Sequence, residues 1–116
     1  MGLKNFFVNN ISQYNYSSAG ISYISIKVDG KSLKLLIDTG AGVSVLKALS
    51  LGNNNNVKKT HVKLNGVAGR ISVLGKVHST LDFGKNIRIK NYFYVVPNFE
   101  CQVDGILGLD FIKALG

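Results

Sequence analysis

The residue best suited to chemistry in this sequence is Asp38, which directly follows the apolar run Leu35-Leu36-Ile37 and precedes Thr39-Gly40. A buried carboxylate costs free energy unless it is paired, hydrogen-bonded or protonated. Asp38 therefore either lies in a surface turn or is held inside a site that uses its charge. Of the six acidic residues in the chain, Asp38 alone stands in an Asp-Thr-Gly setting. It is the candidate for chemistry.

The other side chains that commonly act in catalysis or metal binding are poorly placed in the sequence. His61 and His78 have no Cys or His at a metal-ligand spacing, and we predict that each lies on a strand surface. Cys101 has no histidine near it, which favours a buried or edge thiol over a nucleophile. The stretch GILG at 105–108 lacks the Lys-Ser/Thr ending of a phosphate loop. We therefore expect no metal and no cofactor.

The composition indicates one globular domain. The chain has 116 residues, of which 46% are hydrophobic and 17% charged, and this balance argues against disorder. No apolar run approaches the roughly 20 residues that a membrane-spanning helix needs. The N-terminus lacks the pattern of a signal peptide. With a single cysteine, these features predict an intracellular protein with no membrane partner.

The formal net charge of +8 raises the question of nucleic acid. The basic residues are mostly lysines spread along the chain, and Arg88 and Lys90 alternate with Ile87 and Ile89 as on the wet face of a strand. We therefore favour a solvated surface. Any nucleic-acid binding is expected to be at most non-specific and strongly salt-dependent.

Short strands joined by turns must position Asp38. Residues 21–37 predict a β-hairpin that turns at Asp29-Gly30 and delivers Asp38 at its end. Further β-prone stretches follow, and then one short helix; they are residues 43–46, 61–77 around a soft glycine-bearing centre, 81–89, 91–96 and 103–108, with the helix at 109–116. This pattern predicts an all-β chain of sandwich or barrel type.

The stretch DTGAG at 38–42, behind an apolar strand, resembles the active-site signature of the retroviral-type aspartic proteases (retropepsins). GILG at 105–108, running into a helix, resembles the apolar-apolar-Gly strand and helix of that fold, and a glycine-bearing hairpin lies between them where the family has its flap. The ILGLDFI ending is similar in particular to proteases of Ty3/Gypsy-type LTR retrotransposons. The resemblance covers roughly residues 21–115 and implies a closed, barrel-like, all-β retropepsin fold with a flap hairpin and one short C-terminal helix.

The resemblance also implies an aspartic endopeptidase in which Asp38 is catalytic. Such an enzyme needs two carboxylates facing one water, and two carboxylates about 3 Å apart share one proton because both cannot be ionised. The protonated member donates to the scissile carbonyl, and the ionised member accepts a proton from the attacking water. Since this chain supplies one such Asp, the second must come from an identical chain in a two-fold symmetric homodimer. Acidic to neutral pH should favour activity, because the pair must hold one proton.

The remaining site residues are carried over from the same resemblance. Thr39 would join the two active-site loops by hydrogen bonds across the dimer axis, and Gly40 would let the backbone pass close to water and substrate. A flap from about residue 62 to 73 would close over an extended peptide substrate. Substrate contacts are expected from Ala41, Gly42, Val43, Gly66, Val67, Ala68 and Ile106. By resemblance the substrate is the element's own Gag-Pol polyprotein, in the cytoplasm or within virus-like particles.

Two departures from the family pattern concern the dimer. Many retroviral relatives carry an acidic residue and a pairing Arg at positions that here hold Gly42 and Leu109. The sequence also ends soon after the helix, so either further residues or the N-terminal segment with Phe6-Phe7-Val8 would supply the interface strand. We accordingly assign residues 1–20 to an N-terminal extension that is a candidate interface strand, and residues 21–116 to the protease domain.

Three other interpretations stay open from the sequence. The chain could be a protease-like dimerisation or binding module without catalysis, a basic β-domain that binds nucleic acid, or a host-domesticated retropepsin-like protein.

Overall fold

The computed structural model describes residues 14–16, 22–52, 56–66, 69–97 and 102–115, and these residues form mostly β-structure. One turn of 3₁₀ helix, Ala48–Ser50, follows the fourth strand, and an α-helix follows the last. In chain order the elements are β1 Tyr14–Tyr16, β2 Ser22–Val28, β3 Lys31–Ile37, β4 Val45–Lys47, β5 Lys63–Gly66, β6 Gly69–Ser72, β7 Gly75–Asp82, β8 Arg88–Val96, β9 Gly105–Leu107 and α1 Leu109–Ala114.

Six strands close into a barrel. Their order around the sheet is β2-β3-β9-β4-β8-β7, and a further pairing of β2 with β7 joins the two ends. β1 pairs with β2 on the outside, while β5 and β6 form a separate two-stranded hairpin. Closure leaves few unpaired strand edges, which suits a domain of short strands. The predicted all-β, barrel-like fold with one short C-terminal helix is confirmed.

Turn residues set the hairpin of β2 and β3, which forms part of the barrel wall. Between β2 and β3, Asp29 and Gly30 have φ angles of 50° and 83°, the left-handed conformation that a two-residue hairpin turn requires. The predicted Asp-Gly turn is confirmed. Asp29 has a second use, because its Oδ1 accepts the backbone N–H of Thr80 at 3.0 Å and so ties this turn to β7.

The core lies inside the barrel and under α1. Alternation along the strands sends every second residue inward, as the burial of Ile24, Ile26 and Val28 on β2 shows. The helix closes one end of the core through Phe111, which is fully buried and lies 5.9 Å from Phe83 between ring centroids. Burial of such side chains contributes about 1.5–3 kcal/mol each.

The hairpin after residue 60 is shorter than the sequence indicates. The sequence predicts one long hairpin over residues 61–77, but its arms are β5 and β6, and Gly75 already begins β7. A Cβ on Gly75 would lie 2.8 Å from the carbonyl oxygen of Lys58, so glycine lets this neighbouring segment approach. Lys58 and Lys76 there exchange two backbone hydrogen bonds of 2.8 Å. His61 is exposed but precedes β5, so its predicted strand position is wrong.

No helix among the described residues is long and apolar enough to cross a membrane.

Candidate active site

Asp38 lies in a tight turn at the end of β3. Its backbone N–H donates to the carbonyl oxygen of Leu107 at 3.0 Å, which continues the pairing of β3 with β9. Its carbonyl oxygen accepts the N–H of Ala41 at 3.2 Å, and its Oδ1 accepts the N–H of Gly40 at 2.9 Å. The side chain is half-buried, while Thr39 and Gly40 are exposed. The carboxylate is therefore hydrogen-bonded at the surface and escapes the cost of deep burial.

Gly40 has a steric reason to be glycine. A Cβ at this position would lie 3.1 Å from Oδ1 of Asp38, a contact closer than most Cβ atoms make. A side chain there would crowd the carboxylate or displace it. Glycine thus leaves the carboxylate oxygen free to accept the Gly40 N–H.

The strand β9 brings a C-terminal part of the chain next to the strands on either side of this turn. It lies between β3, to which it is parallel, and β4, to which it is antiparallel. A Cβ on Gly105 would lie 2.4 Å from the carbonyl oxygen of Val45, so the close approach of β9 to β4 depends on glycine. The DTG and GILG stretches, distant in sequence, are neighbours in the fold.

The start of α1 clamps the loop that follows the turn. The N–H of Leu109 donates to the carbonyl oxygen of Ala41 at 2.7 Å. A Cβ on Gly108 would lie 2.4 Å from the carbonyl oxygen of Val43 and 2.8 Å from that of Ala41. The helix start can therefore touch the loop only because residue 108 has no side chain.

Ser44 and Asp110 fix the same loop from its other end. Ser44 is fully buried; its hydroxyl donates to Oδ1 of Asp110 at 2.7 Å and accepts the N–H of Gly108 at 2.9 Å. The backbone N–H of Ser44 donates to Oδ2 of Asp110 at 3.3 Å. From the sequence, Asp110 is a charge placed favourably at a helix N-terminus. In the fold it also ties α1 to the loop that follows Asp38.

Asp104 is a second structural carboxylate that sequence reasoning did not single out. Its Oδ2 accepts the backbone N–H of Lys34 at 2.8 Å, and its carbonyl oxygen accepts the N–H of Lys47 at 3.0 Å. The hydroxyl of Ser50 donates to the same carbonyl oxygen at 3.1 Å. Asp104 thus holds β3, β4 and the 3₁₀ turn together at the start of β9. Its partners are distant in sequence, so no local signal marks it.

An apolar strip lies on the outer face of the three strands that carry the site. Ile106, a predicted substrate contact, is directly opposite Leu36 on β3 and Val45 on β4, and all three are half-buried. Their strand neighbours Leu35, Leu46 and Leu107 face the core. Leu36 and Val45 were not predicted as site residues from the sequence. They alternate with core residues along their strands, and this alternation could have shown that they lie on the outer face.

The other predicted contacts are placed as follows. Ala41 and Val43 are half-buried in the loop after Asp38, and Gly42 is exposed with open space around it. The backbone of Gly66 ends β5 and pairs with Gly69 of β6. Val67 and Ala68, the expected flap tip, lie outside the described residues.

The acidic groups around the DTG turn are carboxylates, which can donate and accept protons. In the described part of the chain, no group of three or more His, Cys, Asp or Glu side chains could hold a metal ion. Asp38 is the one carboxylate of the DTG turn, and Asp110 and Asp104 are taken up by hydrogen bonds that join elements. Asp38 lies beside the exposed residues Thr39 and Gly40, at the surface of the barrel.

Comparisons with known proteins agree with this geometry. The aspartyl protease family model matches residues 24–111, a span that includes both signature stretches. A retrovirus-related Pol polyprotein from transposon 412 of Drosophila melanogaster is 33% identical over 85 residues, which are 72% of this chain and 7% of that polyprotein. The chain therefore spans a small part of the length of this relative.

Two solved structures share the fold. EIAV protease, solved with an inhibitor, has 25% identity and a TM-score of 0.70, covering 88% of this chain and 94% of that one. A retropepsin-like aspartic protease from Rickettsia conorii has 19% identity and a TM-score of 0.55, covering 86% and 76%, a likeness of fold alone. With its DTG turn, its six-stranded barrel and these matches, the chain belongs to the aspartyl protease family and is of the retropepsin type.

Proposed function

We propose that the chain hydrolyses peptide bonds as a homodimer in which Asp38 of each subunit supplies one carboxylate of the catalytic pair. The observation that carries the proposal is the placement of Asp38. It lies half-buried in a turn whose next two residues, Thr39 and Gly40, are exposed, so a second copy of the turn can approach it. A two-fold axis through this point brings equal residues together. In this proposal Thr39, which is exposed at the same surface, forms hydrogen bonds across that axis.

The reaction uses the pair as both acid and base. The ionised carboxylate accepts a proton from a water molecule, whose oxygen bonds to the scissile carbonyl carbon, while the protonated carboxyl donates its proton to the carbonyl oxygen. The resulting tetrahedral intermediate collapses with cleavage of the C–N bond. The carboxyl that took its proton from water gives it to the leaving amine, and a hydroxyl of the intermediate returns a proton to the other carboxylate, which restores the pair. The Gly40 N–H, held 2.9 Å from Oδ1, orients the Asp38 carboxylate for these transfers.

The substrate in this proposal is an extended peptide with apolar side chains beside the cut. Ala41, Gly42 and Val43 contact it from the loop, and Ile106 with Leu36 and Val45 provides the half-buried apolar strip. The hairpin of β5 and β6 serves as the flap, and Gly66, Val67 and Ala68 close over the peptide backbone.

A polyprotein is the proposed natural substrate. Support comes from the likeness to a retrovirus-related Pol polyprotein. The proposed place of action is inside the cell, in the cytoplasm or within virus-like particles. Residues 1–20 are proposed to add interface strands, since β1 lies at the outer side of β2, where a strand edge can pair with another chain.

The test compares wild type with Asp38→Asn on a peptide library, with dimerisation measured by sedimentation. Asn keeps an oxygen that can accept the Gly40 N–H but cannot share a proton as a carboxylate does, so cleavage should fall about 10²–10⁴-fold or more while the fold and the dimer persist. Asp82→Asn is the matched control. That carboxylate lies near Arg88 at the far end of β7, so its loss should leave cleavage unchanged.

Equal cleavage by wild type and Asp38→Asn would end the catalytic proposal. A wild type that dimerises but cuts nothing in the library would favour the binding module without catalysis.

A further inference from the structure

The outward face of β7 and β8 carries basic and aromatic side chains in register. Lys76 is opposite Tyr94, His78 is opposite Tyr92, and Thr80 is opposite Lys90. Their strand neighbours point into the barrel, where Val77, Ser79, Phe93 and Val95 are buried. We call Lys58, Lys76, His78, Lys90, Tyr92 and Tyr94 the basic-aromatic face; Lys58 joins it by its backbone pairing with Lys76.

Two rings on this face are already stacked. The His78 and Tyr92 rings lie 4.2 Å apart between centroids with an angle of 13° between their planes. His78 is exposed, and Tyr92 keeps 51% of its surface accessible. A planar group can extend such a stack, as bases do on the aromatic side chains of single-strand-binding proteins.

Lysine charge lies beside the stack. The Lys76 ammonium lies 4.4 Å from the centre of the Tyr92 ring and 5.5 Å from that of Tyr94, a cation–π geometry. The only acidic residue on the described outward side of these two strands is Asp82, at the far end of β7, where it lies 3.7 Å from Arg88. Within the described residues of these two strands, no acidic side chain therefore lies next to the stacked rings on the outward face.

A pocket lies beside the stacked rings of His78 and Tyr92. It has a volume of about 240 Å³ and is lined by Asn56, Lys58, Lys76, His78 and Tyr92. Among these five described residues two are lysines and none is acidic. Pockets for drug-sized ligands start at roughly 300 Å³, so this one suits a single base with its phosphate better than a larger molecule.

We propose that the basic-aromatic face binds single-stranded nucleic acid without sequence specificity, with one base stacked at His78 and Tyr92 and the flanking phosphates at Lys58 and Lys76. Charge favours this occupant, because the whole chain carries a net charge of +8 and the pocket adds local lysines. The stacked rings favour bases that are free of a duplex, since bases inside a duplex are already stacked on both ring faces. Acidic peptides or lipid head groups would use the lysines but leave the rings without a role.

The test measures fluorescence anisotropy of a labelled oligouridylate of about 12 nucleotides, a length within the site sizes of single-strand-binding barrels, over a range of salt concentrations. Lys58→Ser/Lys76→Ser should weaken binding and reduce the slope of log K against log salt by about 0.7 for each phosphate that a lysine no longer neutralises. The matched control is Lys27→Ser/Lys113→Ser, which removes the same charge from exposed positions on β2 and α1 and should leave the slope near that of wild type.

A second pair of variants tests stacking. His78→Ala should weaken binding about tenfold, as expected for the loss of one stacked base, while His78→Phe keeps a ring and should bind like wild type. A base-free polyphosphate of equal charge and a blunt RNA duplex should both bind more weakly than the oligouridylate. Thermal unfolding of each variant checks that the fold is retained, and the lysine comparison stands by itself if His78→Ala does not fold.

Equal slopes for the two lysine variants would overturn the proposal, as would equal affinity for polyphosphate or preference for the duplex. The inference does not depend on the proposed function. None of the face residues belongs to β3, β9 or the loop after Asp38, so Lys58→Ser/Lys76→Ser is expected to cleave peptides like wild type. Loss of RNA binding and loss of proteolysis are therefore separate results.

Discussion

At the scale of single residues, the site depends on where side chains are absent. Gly40 leaves room for the Asp38 carboxylate, and Gly108 lets the start of α1 contact the loop carbonyls. Gly42 is different, since a Cβ there would meet nothing within 4 Å. Of these three glycines, Gly40 and Gly108 lack room for a side chain, whereas Gly42 has room for one. The residue type is the same at all three positions, so the structure is needed to distinguish them.

Gly108→Ala should destabilise the protein by about 3 kcal/mol, because its Cβ would lie 2.4 Å from a backbone oxygen that cannot move without displacing the loop. Gly42→Ala is the matched control and should change the free energy of unfolding by less than about 1 kcal/mol. Chemical denaturation of both variants at one protein concentration measures the difference. Similar stabilities for the two variants would show that the helix start does not press on the loop.

At the scale of elements, the site is built by strands and a helix that meet from distant parts of the chain. β9 separates β3 from β4, and α1 returns to the loop between those two strands. The hydroxyl of Ser44 links this loop to Asp110 and Gly108 at the helix start. This network holds the loop against the start of α1.

Asp110→Ala should cost about 1–3 kcal/mol of stability, because it leaves the buried Ser44 hydroxyl without its acceptor. Asp110→Asn keeps an oxygen for that hydroxyl and should cost about 1 kcal/mol or less. Under conditions in which both variants are fully folded, peptide cleavage should be lower for the Ala variant than for the Asn variant, because the loop continues into the Asp38 turn. If both variants unfold alike, the carboxylate is not the link between α1 and the loop.

At the scale of the whole molecule, the net positive charge of each copy opposes formation of the proposed symmetric dimer. Each copy carries a net charge of +8, so two copies repel at long range, while the proposed catalytic pair requires them to meet. Salt screens such repulsion, with a Debye length of about 10 Å at 0.1 M. The same salt weakens contacts between lysines and phosphates. Dimerisation and nucleic-acid binding should therefore respond to salt in opposite directions.

Specific cleavage activity should rise with protein concentration and reach a plateau as the dimer forms, and the concentration at half-plateau should fall when salt is raised. Rates per unit of protein, measured across a dilution series at two salt concentrations, test both points. A specific activity that stays constant down to the most dilute sample, with sedimentation showing a single chain, would contradict a site shared between two copies.

The strands and turns of the barrel were largely predictable from the sequence, because residues close together along the chain determine them. The Asp29-Gly30 turn follows from residue type, and the inward residues of β2 follow from alternation. The DTG and GILG stretches also indicated which distant parts of the chain belong to one site. The start of β7 at Gly75 was not predicted, because the approach of residue 58 decides it.

The sequence was enough to predict most of the strands, the candidate carboxylate and the family. The contacts between distant side chains became apparent only in the folded chain: Ser44 with Asp110, Asp104 with the backbone of Lys34, and Leu36 and Val45 with Ile106. Turns and alternation are set by neighbours along the chain. Contacts across some 60 to 70 residues exist only once the sheet has closed, since closure fixes which strands lie side by side and in what register.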